Sequence, residues 1–208
     1  MILIGQYDSP FVRRIGIALT LYEMPFEHRP WSAFGDVEKI QRLNPLARVP
    51  TLVLDDGTVL VDSHSMIDCL DGLVPPERAL FPRAEPARRD AMRVAALAMG
   101  MGDKAVSLFY ELRLHREVSA QWAARCRTQI GAVAAALEAD RAARPDSYWF
   151  GERIGHADIA VAVVLRFLSD AHSGLLAMEA HPALAAHARR LEALPVFQTI
   201  SQPFIPPT

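Results

Sequence analysis

With 208 residues, of which 51% are hydrophobic and 22% charged, the chain has material for one large or two small globular domains and is too apolar to remain disordered. A net charge of -2 and a pI near 6.4 supply no field that would gather nucleic acid or an anionic membrane surface, so neither is an expected partner. No segment is apolar for long enough to span a bilayer, and Met1-Ile2-Leu3-Ile4-Gly5 gives way at once to Gln6, Tyr7 and Asp8, without the basic start or the length of a signal peptide; the cytoplasm is the expected location.

In chain order, Met1 to Gly5 reads as a buried strand, Phe11 to Tyr22 as a helix with Phe11, Ile15, Leu19 and Tyr22 on its apolar side, and Pro25 to Arg29 as a second strand. After a variable stretch, Thr51 to Leu54 and Thr58 to Val61 flank Asp55-Asp56-Gly57, a strong hairpin signal. A helix capped near Ser63 carries Met66, Ile67 and Leu70. The proline-rich run from Val74 to Pro82 cannot continue a helix and marks a domain boundary. Helical patterning then covers Pro86 to Arg116, Ser119 to Ala143, Ala157 to Ala171 and Pro182 to Ala193, and Gln202 to Pro207 is an extended tail. The expected domains are residues 1–76, an α/β unit, and residues 86–208, all helical, with 77–85 as linker.

Three short motifs carry chemistry. Ser9-Pro10-Phe11 ends the first strand and opens the first helix, where Ser9 reads either as a cap or as a hydroxyl presented across the helix N-terminus. Val49-Pro50-Thr51 opens the third strand; a cis bond there would turn the Val49 backbone outward, able to pair a peptide-like ligand. Asp62-Ser63 stands at a helix start, where Asp62 suits an ammonium and Ser63 with the free N–H groups suits a carboxylate, the two ends of one amino-acid head; the plainer reading is a helix cap. Cys69 and Cys126 make no CxxC or zinc spacing and read as small core residues, and the seven histidines show no metal-ligand pattern, so no metal is expected.

Together, Tyr7 to Ile15, Asn44 to Leu52 and Asp62 to Ile67 resemble the serine-type cytosolic glutathione S-transferases, in order and in spacing. The resemblance implies a thioredoxin-like domain of order βαβ-α-ββα followed by an all-α domain that lines the electrophile site. It also implies glutathione as co-substrate, a small hydrophobic electrophile and a homodimer. By the same resemblance Ser9 activates the thiol, with Tyr7 as its rival; Val49 pairs with the cysteinyl backbone, Arg48 meets the glycyl carboxylate, Asp62 and Ser63 hold the γ-glutamyl end, and Phe11 and Pro50 complete the glutathione-binding residues. Lowering a thiol pKa from about 8.5 to about 6.5 needs roughly 2.7 kcal/mol. One hydrogen bond to a charged group supplies about 1.5–3 kcal/mol and a helix end about 0.3–1 more, so a hydroxyl plus the helix end suffices.

Position along the chain assigns Phe34, Met99, Asp103, Val106 and Tyr110 to the electrophile. Gly100 and Gly102 within one helical run imply close packing or room for a ligand. Gly155-His156-Ala157-Asp158 resembles the family's buried capping box, with glycine where Ser or Thr is usual and Ile154 and Ile159 as the hydrophobic staple. The expected activity is conjugation of glutathione to an electrophile. The alternatives are a glutathione-dependent isomerase or peroxidase, or a non-catalytic binding protein of the same fold.

Overall fold

The computed structural model describes residues 1–206; of the expected tail, Pro207 lies outside the described residues. The chain forms two compact units, Met1–Leu80 together with the chain from Leu194 onward, and Phe81–Ala193.

In the first unit, β1 (Ile2–Ile4), α1 (Pro10–Leu21), β2 (Glu27–Arg29), α2 (Val37–Gln41), β3 (Thr51–Val53), β4 (Val59–Val61) and α3 (Ser63–Gly72) follow in the thioredoxin-like order. The sheet order is β2-β1-β3-β4: β1 pairs parallel to β2, as a helical crossover demands, and the other pairs are antiparallel. Leu3, Ile4 and Leu52 of the sheet, Ile15 and Leu19 of α1, and Met66 and Leu70 of α3 form the core. Between β3 and β4 the Leu54 N–H donates to the Thr58 carbonyl at 2.9 Å and Gly57 takes φ +85°, the turn that the Asp-Gly pair predicts.

The boundary falls differently from the sequence expectation at both ends. Asp71 Oδ1 accepts the Tyr22 hydroxyl and, at 2.8 Å, the Leu80 N–H, while Arg78 Nη2 donates to the Tyr22 carbonyl at 2.9 Å. These bonds hold half of the expected linker onto the first unit. The short helix α8 (Pro195–Thr199) and the tail also belong there, because α8 packs on α1, so 194 onward is not part of the helical domain.

The second unit contains α4 (Ala87–Leu114), α5 (Ala120–Ala142), α6 (His156–Ala171) and α7 (Pro182–Glu192), with a single 3₁₀ turn at Met178–Ala180. α6 is buried on nearly every side from His156 to Leu168, as its unbroken Ala and Val content requires, and α4 and α7 pack on it. α4 runs for 28 residues through both of its glycines, and a Cβ added at Gly100 would meet nothing within 4 Å, so close packing is not why glycine stands there. Cys126 is buried and Cys69 half-buried, both as free thiols. No helix among the described residues is long and apolar enough to cross a membrane.

Candidate functional site

The strand register gathers the three motifs at one end of the sheet. Ile4, Thr51 and Val61 lie side by side across β1, β3 and β4. The chain immediately beyond that row is Gly5 to Ser9 on one strand, Val49-Pro50 on the next and Asp62-Ser63 on the third. Neighbouring strands are about 4.8 Å apart, so the three segments span roughly 10 Å, the reach of a short peptide.

Gly5, which the sequence reading passed over, lets the first two segments meet. It has φ +131°, and a Cβ there would lie 2.5 Å from Val12 Cγ2 and 2.8 Å from Val49 Cβ. A glycine directly after a strand and before a Ser-Pro helix start was the available signal.

Ser9 is the N-cap of α1, with Pro10 in the first helical position. Its hydroxyl oxygen accepts the Val12 N–H at 3.4 Å, and its own N–H donates to the Gln6 carbonyl at 3.1 Å. A hydroxyl has one donor and two acceptor sites, so accepting from Val12 leaves the O–H to donate elsewhere; capping and thiolate stabilisation are compatible. The half-buried Phe11 follows on the same turn.

Tyr7 points elsewhere. Its ring stacks on His28 with centroids 3.9 Å apart, and its Cε1 is 2.9 Å from where a Cβ on Gly16 would stand. Gly16 is roughly 9 Å along α1 from Pro10, so the phenol sits beside the helix body and not at its N-terminus. Burial pushes the Tyr7 hydroxyl up to about 12.

The Val49-Pro50 peptide is cis, and Val49 forms no backbone hydrogen bond with another described residue. The loop is shaped by buried Asn44, whose Nδ2 donates to the Arg48 carbonyl and to Thr51 Oγ1, each at 3.0 Å, and whose Oδ1 accepts the Leu46 N–H. Arg48 is exposed on that loop. Asn44 was quoted in the motif without a role; its work is visible only once the loop closes around it.

At α3 the cap is Asp62 and not Ser63. Asp62 stands at φ +72°, a conformation Asp tolerates better than most residues, and its Oδ1 accepts the N–H groups of His64 at 2.8 Å and Ser65 at 3.4 Å. Oδ2 accepts no hydrogen bond from the described residues, and Ser63 is the first helical residue, almost wholly buried. Behind them lies a charge that the sequence did not reveal. Arg14 on α1 is 1% exposed, with Nε and Nη1 unpartnered among the described residues. Burial lowers its pKa to about 10 while Asp62 acts to raise it. This corner holds a buried cation, an open carboxylate oxygen and a helix N-terminus, the complement of a zwitterionic head.

Of the residues expected to meet an electrophile, Phe34 is exposed in the first unit, and the others lie in the second. Asp103, Val106 and Tyr110 are exposed or half-exposed on α4. Met99 is fully buried and presents no surface, because its turn of α4 carries Ala98, Met99, Met101 and Gly102 into the interior. No group of His, Cys, Asp and Glu among the described residues could hold a metal ion.

Comparison with known proteins shows the family to which this fold belongs. Residues 3–78 match the family model of the glutathione S-transferase N-terminal domain and residues 120–190 that of the C-terminal domain. The crystal structure of a glutathione S-transferase from Methylobacterium radiotolerans, in complex with glutathione sulfonate, is similar at TM-score 0.91 and 30% identity, over 100% of this chain and 97% of that one. The maleylacetoacetate isomerase of Pseudomonas aeruginosa is 30% identical over 169 residues, 76% of this chain and 77% of its own length. The uncharacterized GST-like protein YibF of Escherichia coli is 31% identical over 103 residues, half of each chain. The fold and these matches place the chain in the cytosolic glutathione S-transferase family.

Proposed function

We propose that the chain is a glutathione transferase in which Ser9 donates its hydroxyl hydrogen bond to the glutathione thiolate at the N-terminus of α1. The observation that supports this most directly is the row Ile4–Thr51–Val61, beyond which Ser9, Val49 and Asp62 stand on one sheet end. Glutathione fits the groups present. Val49 pairs its free N–H and C=O with the cysteinyl backbone against Pro50 and Phe11; Asp62 Oδ2 takes the ammonium, the hydroxyl and N–H of Ser63 take the γ-glutamyl carboxylate, and Arg48 takes the glycyl carboxylate. Ser9 is preferred to Tyr7 because the phenol is held beside the middle of α1. The exposed Asp103 and Tyr110 and the half-exposed Val106 of α4 are the residues offered to the electrophile. A homodimer in the cytoplasm belongs to the same reading.

A second reading, glutathione-dependent isomerisation, is favoured by the likeness to maleylacetoacetate isomerase. It uses the same thiolate and differs in the product released. The test is the ultraviolet thiolate absorbance of bound glutathione against pH, in the wild type and in Ser9→Ala. A thiol pKa lowered by about 2 units in the wild type that returns toward about 8.5 in the variant supports the role of Ser9. A bound thiol with an ordinary pKa in the wild type, or an unchanged one in the variant, refutes it. Assays with a conjugation acceptor and a cis-unsaturated diketo acid then separate transferase from isomerase.

A further inference from the structure

The segment that carries Ser9 is fastened from the far end of the chain. The Tyr7 N–H donates to Gln202 Oε1 at 2.8 Å, and the Ile205 N–H donates to Asp8 Oδ2 at 3.0 Å. Earlier in the tail, buried Arg13 of α1 donates from Nε to the Ile200 carbonyl and from Nη2 to the Phe197 carbonyl, each at 2.8 Å. Those carbonyls close α8, where the helix end carries partial negative charge and a cation is favoured. Ile200 then lies against bare Gly16, its Cγ2 2.8 Å from where a Cβ would stand, beside the Tyr7 ring.

Local bonds alone hold the turn from Gln6 to Ser9 weakly. Within it, the Ser9 N–H reaches the Gln6 carbonyl at 3.1 Å, and the cap onto Val12 is long, at 3.4 Å. Without Gln202 the Tyr7 amide would lose this acceptor, and the Tyr7 backbone would lose its direct tie to the tail. A hydroxyl that stabilises a thiolate must be held within about 0.5 Å of its productive position, so what fixes residues 7 and 8 also fixes how well Ser9 works.

We infer that residues 197–205 form a strap that positions the Ser9 hydroxyl, with Gln202 as the positioning residue through the Tyr7 amide and Ile205 as a second tie through Asp8. This rests on the proposal that Ser9 stabilises the thiolate, and it adds the element that makes the serine effective. The ties described above join the strap to residues 7, 8 and 13 and none of them involves Asp62 or Ser63, so its loss degrades thiolate stabilisation while glutathione still binds.

Gln202→Met in the whole 208-residue chain keeps the side-chain length and removes the oxygen acceptor, Gln202→Glu keeps an acceptor, and Ile205→Pro removes the second donor. The readouts are the pH titration of bound glutathione thiolate and steady-state kinetics. In Gln202→Met the bound thiol pKa rises by about one unit and kcat falls about tenfold, with KM for glutathione within about twofold. Gln202→Glu behaves as wild type, and Ile205→Pro shifts the same way by less. If the wild type lowers the thiol pKa and both Gln202→Met and Ile205→Pro leave it unchanged, the strap is only packing and the inference is overturned while the role of Ser9 stands. Equal losses in Gln202→Met and Gln202→Glu also overturn it, and a wild type with an ordinary thiol pKa removes both proposals.

Discussion

Two helices, α3 and α6, each start on an aspartate carboxylate that accepts backbone N–H groups, and the two carboxylates are used in opposite ways. Asp158 at α6 is 1% exposed and divides its oxygens between two donors, the Trp149 N–H on Oδ1 and the Gly155 N–H on Oδ2, both at 2.8 Å. It makes the returning half of a capping box whose forward half is missing, since Gly155 has no side chain. Asp62 at α3 is exposed, serves both of its amides with one oxygen and leaves the other open beside a buried arginine. A polar group satisfied on every side holds the fold together. One left half-satisfied at the end of a sheet is available to a ligand.

Substitutions at these places should separate the two uses. The largest effect is expected for Asp158→Ala, which leaves the buried Trp149 N–H and the part-buried Gly155 N–H without acceptors at about 1–3 kcal/mol each, a loss of about 3–4 kcal/mol in urea unfolding. A loss below about 1 kcal/mol would show that Asp158 does not hold this segment.

Next comes the pH response of its neighbour. His187 Nε2 lies 3.4 Å from Asp158 Oδ1, and the His187 ring packs edge-on to Trp149. Burial pushes His187 down to about 3 and Asp158 up to about 6. The unfolded chain therefore protonates His187 first, and that stability is full above about 6.5 and lost as pH falls. Asp158 acts the other way: its contribution is full below about 3.9 and lost as pH rises through 6. The two slopes oppose each other between about pH 4 and 6. His187→Phe keeps a ring and should gain roughly 2 kcal/mol on the wild type between pH 7 and pH 5, in denaturant melts at both pH values. Parallel pH profiles for the two proteins would mean that His187 takes up its proton in the folded state.

The smallest effect on stability is expected for Asp62→Asn. Asparagine tolerates φ +72° and caps well, so stability should change by less than about 0.5 kcal/mol. Glutathione binding, measured by calorimetry, should weaken about tenfold as the charge facing the ammonium is lost. Unchanged affinity would take Asp62 out of the ligand site.

The contrast also explains what could be read from the sequence. Strands, the Asp-Gly hairpin and the Ser9-Pro10 helix start were legible because each is dictated by residues within a few positions of one another. That the three motifs share one end of the sheet was legible because each borders a strand, after β1, before β3 and after β4. Arg14 was not, since a lone arginine in a helix reads as solvated until the helix is packed. The burial of Met99 was not legible because a helix rich in Ala and Gly gives little indication of which face turns inward. α8 has five residues, too few for a period, and the bond from Tyr7 to Gln202 joins positions 195 apart with no local pattern at either end.

The first unit is discontinuous in sequence, and this imposes an order on its assembly. Its last pieces, α8 and the tail, leave the ribosome only after all of Phe81–Ala193 has been made, a delay on the order of ten seconds at about 5–20 residues per second. During that interval the sheet and its helices are already synthesised, while Arg13 and the Tyr7 amide have only water in place of the Phe197, Ile200 and Gln202 oxygens. The ties from Arg13 and the Tyr7 amide to the tail therefore form only after the helical unit that separates them in sequence has been synthesised.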